Sequence, residues 1–136
     1  MALSANREVD RYVDQELRSF KVAASATIYK GGFVGLSGGY AQALNAADPC
    51  VGIAYEEADN ASGAAGDISV RVYTQGDFLH ALSGAALTNI GDAVYASADD
   101  TLTFTSSGNS LVGVCMDVPE SGKIILRLNP FNAVAP

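Results

Sequence analysis

Beyond Phe20 the chain is written in short apolar runs that alternate or nearly alternate with polar residues and stop at Gly, Asn, Asp or Pro. That pattern predicts strands separated by turns. The first run, over 20–29, puts Val22, Ala24, Ala26 and Ile28 on one face. A turn at Gly31-Gly32 leads to a hairpin of 33–36 and 40–44 about Gly38-Gly39. After a loop at 45–49 a strand is expected at 50–56, then a long connection over 58–67, ADNASGAAGD. Strands follow at 68–75 and 77–82, with Gly76 between them. A short helical or loop crossing at 85–89 precedes strands at 93–97 and 101–105, which meet at an Asp99-Asp100 turn. The last two strands are 111–118 and 123–128, joined by a turn over 119–122, and 129–136 form a tail. None of the four prolines interrupts a strand so placed. Many short strands with turn signals between them mean an all-β barrel or sandwich.

The strands are not independent of one another. GGFVGLSGGYAQAL at 31–44 runs the same course as NIGDAVYASADDTLTFT at 89–105, with Gly31, Val34 and Ser37 matching Gly91, Val94 and Ser97. Each copy is followed by a Val-Gly strand, VGIA at 51–54 and VGVC at 112–115, and then by an Arg-bearing strand, ISVRVY at 68–73 and IILRL at 124–128. One β-module is therefore used twice. Two copies are too few for a solenoid, so a folded-over pair is expected. Gly52 and Gly113, inside strands, mark a bulge, a bend or a close backbone approach.

Residues 1–19 differ from the rest and are expected to form an arm in front of a β-domain spanning 20–136. Seven charged residues crowd between Arg7 and Arg18, while Val9, Tyr12, Val13, Leu17 and Phe20 have helical spacing. Asp14 and Arg18 form an i,i+4 pair in the favourable order. A helix this short needs a surface to lie on, either its own domain or another subunit.

Composition narrows the functions. With 49% hydrophobic and 17% charged residues in 136, the chain can bury a true core and has a sparsely charged surface. A formal charge of −7 argues against nucleic acid, and no Lys/Arg cluster suits an anionic membrane. No run of about 18 apolar residues is present to span a bilayer, and the first residues lack an apolar signal core, so a cytosolic origin is expected. Cys50 and Cys115 are expected to be buried free thiols, and with one His they cannot make a structural zinc site.

Catalytic patterns fare poorly. Gly35-Leu36-Ser37-Gly38-Gly39 satisfies the G-x-S-x-G elbow, and Ser37, an Asp at 59, 67 or 77, and His80 follow the hydrolase order. The elbow belongs between a strand and a helix, whereas here it runs from strand to strand. The same segment lacks the Lys-Ser/Thr of a phosphate loop. Glu56-Glu57 and Asp99-Asp100 are paired acids without calcium-loop spacing. Asn60-Ala61-Ser62 fits a glycosylation sequon but needs a secretory route. Sugar sites favour aromatic platforms; there is no Trp, and Tyr40, Tyr55, Tyr73 and Tyr95 fall inside strands, as packing residues do. No catalytic, cofactor or metal residue is expected.

Taken in order, the two G-x-x-V turns, the two Val-Gly strands, the V-x-V-x-x-x-G run at 70–76 and Gly-Asp-x-Val-Tyr at 91–95 resemble the bacteriophage capsid cement, or decoration, proteins, a group compared with the lambda head decoration protein. The resemblance covers roughly 20–128. It implies a small β-barrel or β-tulip and a homotrimer seated on the outer surface of a mature phage head. There it would brace neighbouring major capsid protein subunits, as a structural virion component and not an enzyme. The arm would then be the capsid contact: Val9, Tyr12, Val13 and Leu17 as apolar anchors, and Arg7, Arg11 and Arg18 orienting it on acidic capsid loops. A carbohydrate-binding or adhesive β-module is the alternative.

Overall fold

The structure, a computed structural model, describes Ala5 and residues 17–129. Its strands are β1 (Leu17–Lys21), β2 (Thr27–Ile28), β3 (Phe33–Ser37), β4 (Tyr40–Ala43), β5 (Cys50–Ala54), β6 (Ala58–Asp59), β7 (Ser69–Tyr73), β8 (Gly76–Ala81), β9 (Ala93–Ala98), β10 (Thr101–Thr103), β11 (Ser110–Glu120) and β12 (Lys123–Leu128). A 3-10 turn, Leu87–Asn89, supplies the expected crossing before β9. Two five-stranded antiparallel sheets result, in the orders β1-β7-β5-β3-β4 and β8-β12-β11-β9-β10, with a small β2-β6 ribbon beside the first.

These orders are the same order. Each sheet takes an edge strand, then a hairpin, then a third strand that pairs back on the hairpin, then a fourth that returns to the edge strand. Module 1 is thus β1, β3, β4, β5 and β7, and module 2 is β8 to β12. The backbone bonds repeat with it. Gly31 N–H donates to the Ala54 carbonyl at 2.9 Å, and Gly91 N–H to that of Cys115 at 2.7 Å. Ala54 N–H donates in return to Gly32 at 2.8 Å, and Cys115 N–H to Asp92 at 2.9 Å. Val34 faces Gly52 while Gly35 faces Cys50, which leaves Val51 as an extra, bulged residue. Val94 faces Gly113 while Tyr95 faces Leu111, bulging Val112 in the same place. Both bulged valines are fully buried.

The modules stack on unlike faces. One core holds Val34, Val51, Ala54, Val70 and Val72 from a single face of the first sheet, together with Ile28 and Ala58 from the β2-β6 ribbon. The matching residues of module 2 are Val94, Val112, Cys115, Ile124 and Leu126, and they share the second core with Phe33, Cys50 and Ile53 from the opposite face of the first sheet. Sheet one is therefore covered twice. The segment 55–68 has no counterpart in module 2, where β11 passes to β12 through a two-residue turn.

Three expectations need correction. The all-β fold of two related modules holds, but the sheets do not close into a barrel. A lone parallel bridge from Val22 to Ala41 draws the ends of the first sheet together, and no ladder seals it. Leu17 and Arg18, read as helical, open β1 and lie opposite Tyr73 and Val72; pairing with β7 satisfies more backbone groups than an isolated turn of helix would. Pro119 lies within β11. It is tolerated because the register against β12 slips between Asp117 and Glu120, where no ladder donor is required of it.

Candidate interaction surface

The Ser37 pattern does not assemble. Ser37 ends β3 and pairs with Tyr40 across the Gly38-Gly39 turn, so no helix follows it. His80 packs at the other end of β3, its ring 5.4 Å from that of Phe33 and its Nδ1 2.7 Å from the Ala81 carbonyl. The two ends of β3 are four residue steps apart, about 13 Å. Among the described residues no three His, Cys, Asp or Glu side chains gather as a metal site. Asn60, of the sequon, is buried, and its Nδ2 donates to the carbonyls of Ala23 at 2.9 Å and Ala64 at 3.0 Å. Both thiols are free and buried. Burial pushes Cys50 up to about 12 and raises Cys115 as well.

Of the tyrosines expected to pack inside strands, Tyr73 and Tyr95 do, Tyr55 packs just beyond the end of β5, and Tyr40 in β4 is exposed. Tyr55 meets Tyr73 edge-on at 5.3 Å, and Tyr73 meets Phe78 at 5.4 Å, a ladder that joins the two modules. Arg71 lies 4.9 Å above the Tyr55 ring and is held by Glu56 through Nε at 3.0 Å and the terminal nitrogen at 2.9 Å. Glu56 also accepts the Arg71 backbone N–H at 3.0 Å. The side-chain bond from Arg71, helped by the backbone one, holds the Glu56 carboxyl down at about 2.

What the fold leaves uncovered is the outer face of the second sheet. Residues directly opposite in an antiparallel ladder share a face. Pairing therefore sets Asp77, Arg127, Val114 and Ala93 in one row, and Leu79, Ile125 and Asp117 in the next. Leu79 is 59% exposed and Met116 38%. Beside them a groove of about 620 Å³ is lined by Gln75, Gly76, Asp77, Val114, Met116, Arg127, Leu128 and Asn129. Arg127 spans Asp77 with bonds of 2.9 and 3.0 Å, which lower the Asp77 carboxyl below its ordinary range. Lys123 and Glu120 pair at 3.2 Å along the same sheet. A smaller cleft of about 440 Å³, lined by Tyr29, Lys30, Gly31, Gly32, His80, Asp99 and Asp100, lies where the modules meet.

Of the arm residues read as capsid contacts, Arg7, Val9, Arg11, Tyr12 and Val13 lie outside the described residues, while Leu17 and Arg18 belong to β1. Leu79, Met116, Val114 and Ile125 escape a reading of the sequence because each sits in a strand and looks like core. The usable signal is positional. Once the modules are aligned, Leu79 and Ile125 stand where module 1 has Ser19 and Arg71.

The domain is thus an all-β scaffold of two stacked five-stranded sheets with one outer face uncovered. The family model described as Phage cement protein matches residues 13–127, and the chain belongs to that family of structural, capsid-associated proteins. Neither the curated proteins nor the solved structures contain a match.

Proposed function

We propose that the protein is a capsid decoration subunit that binds the outside of a mature phage head as a homotrimer and stabilises contacts between major capsid protein subunits. Membership of the cement family across 13–127 carries this reading. The physics is linkage: a protein that binds the assembled lattice, and not its separated subunits, stabilises that lattice by its binding free energy. A trimer engages several capsid subunits together, so weak contacts gain from effective concentration. The arm supplies the capsid contact, through Arg7, Val9, Arg11, Tyr12, Val13, Leu17 and Arg18. No chemistry is performed on a ligand.

The test uses mature heads stripped of the protein. Full-length chain should co-sediment with them and raise their temperature of disruption, and a chain lacking residues 1–16 should fold without binding. Unchanged disruption temperature at saturating protein would overturn the cement role. A second reading, a sugar-binding module, draws on the cleft that Tyr29, 62% exposed, lines together with Asp99 and Asp100. Hits on a glycan array that Tyr29→Ala abolishes, with no binding to heads, would favour it.

A further inference from the structure

We infer that the outer face of the second sheet, centred on Leu79, Ile125, Val114 and Met116, is where a second copy of this chain docks. This rests on the multi-copy part of the proposed function, and it locates the surface that such an assembly would use.

The duplication provides an internal comparison. In module 1 the row Leu17, Tyr73, Ile53, Phe33 lies under module 2: Phe33 and Ile53 are buried and Tyr73 is half-buried. The same row in module 2 is Asp77, Arg127, Val114 and Ala93. There, Phe has become Ala and Tyr has become an Arg tied to Asp77, as befits the outside of a stack. The next row runs the other way. Ser19 and Arg71 of module 1 become Leu79 and Ile125, and Leu79 is left 59% exposed. Terminal units of a repeat array normally turn a polar face outward. This one turns an apolar stripe outward, flanked by Met116 and bordered by β8, whose only strand partner among the described residues is β12.

Charge selects the occupant. The chain carries −7, with 15 acidic residues against 8 basic ones, so most approaches of one copy to another are repulsive. On this face two carboxylates are cancelled, Asp77 by Arg127 and Glu120 by Lys123, and one net charge is left, Asp117 opposite Ile125. Asp117 turns back on the Val118 N–H at 2.8 Å. An apolar centre bordered by a single net charge is a face that a like-charged copy can meet at little penalty. The same face in module 1 is, moreover, already covered by a unit of the same fold.

The experiment is sedimentation velocity on the full chain over a concentration series, with Leu79→Lys/Met116→Lys and, as a control, Ser19→Lys at the matched position of module 1. All three substituted side chains are exposed, and circular dichroism confirms that each variant folds. The parent chain and the control should sediment as a multiple of 14.0 kDa, and the double variant as a monomer, its association weakened at least ~100-fold. If the double variant assembles like the parent chain, the docking face is wrong and the multi-copy reading survives. A parent chain that is monomeric at every concentration overturns both. A double variant that assembles normally but no longer pellets with phage heads gives the face to the capsid, and that also overturns the inference.

Discussion

Gly52 and Gly113 occupy the same place in the two modules and meet the same obstacle. A Cβ on Gly52 would run into the carbonyl oxygen of Tyr73, and one on Gly113 into that of Arg127, the residue matching Tyr73. Each glycine follows its module's bulged valine, where the strand is drawn against the neighbouring backbone. Gly52 also has φ +146°, a conformation that L side chains avoid.

Alanine at either position should therefore destabilise the domain. Gly113→Ala is expected to cost about 1–3 kcal/mol by overpacking. Gly52→Ala should cost more, since backbone strain of roughly 1–3 kcal/mol adds to the collision. Urea unfolding measures both, against Gly108→Ala, where the new methyl meets open space and the φ of +72° reports the backbone strain alone.

Phe33 joins the modules. It is fully buried in the second core, and its N–H donates at 2.8 Å to the Asp99 carbonyl in the β9–β10 turn of module 2. Phe33→Ala should cost about 3–5 kcal/mol. Because the contact is between modules, unfolding should also broaden or split into two transitions, read by calorimetry. Ser37→Ala, at the exposed end of the same strand, should leave both stability and capsid binding unchanged.

The thiols should be silent in the native state. Cys50, pushed up to about 12 by burial, and Cys115, raised for the same reason, hold little thiolate at pH 8. Ellman's reagent should titrate neither cysteine in buffer and both in guanidinium. Rapid labelling of either in the folded protein would contradict their packing.

Acid should weaken the fold in a defined window. Glu56 titrates at about 2 when folded and near the ordinary 4.5 when unfolded. Its folded value is depressed, so its contribution is fully present above about 4.5 and disappears as pH falls toward 2. Asp77, held down by Arg127, acts in the same direction. Melting temperature should fall between those limits, and Glu56→Gln should both lower it at pH 6 and flatten the fall. Both pairs are solvent-exposed, so high salt should shrink the effect.

The duplication is legible in the sequence because backbone constraints leave residue-level marks. A bulge beside a close carbonyl demands Val-Gly twice, and a turn donating to the third strand demands Gly31 and Gly91. Burial on one face is legible by alternation, which is how Val70, Val72, Ile124 and Leu126 announce themselves. Which face meets which partner is not written that way. Leu79 and Phe78 are adjacent and both apolar, yet Phe78 packs on Tyr73 while Leu79 faces out, a difference fixed by the stacking of the modules. Closure of the sheets and the place of Pro119 depend likewise on register across strands far apart in sequence. The paired positions Ser19/Leu79 and Arg71/Ile125 carry the candidate surface only after the modules have been superimposed.

The segment 55–68, with Ile28 and Ala58 over one core and the Asn60 amide fastened to Ala23 and Ala64, has an effect beyond the module it covers. Units that adhere through two different faces have no built-in limit, and from such contacts filaments grow. By occupying the outward face of the first module, this lid leaves the outer face of the second sheet as the single end on which the stack could continue. A stack with one open end can pair through that end but is barred from extending into a filament by this route.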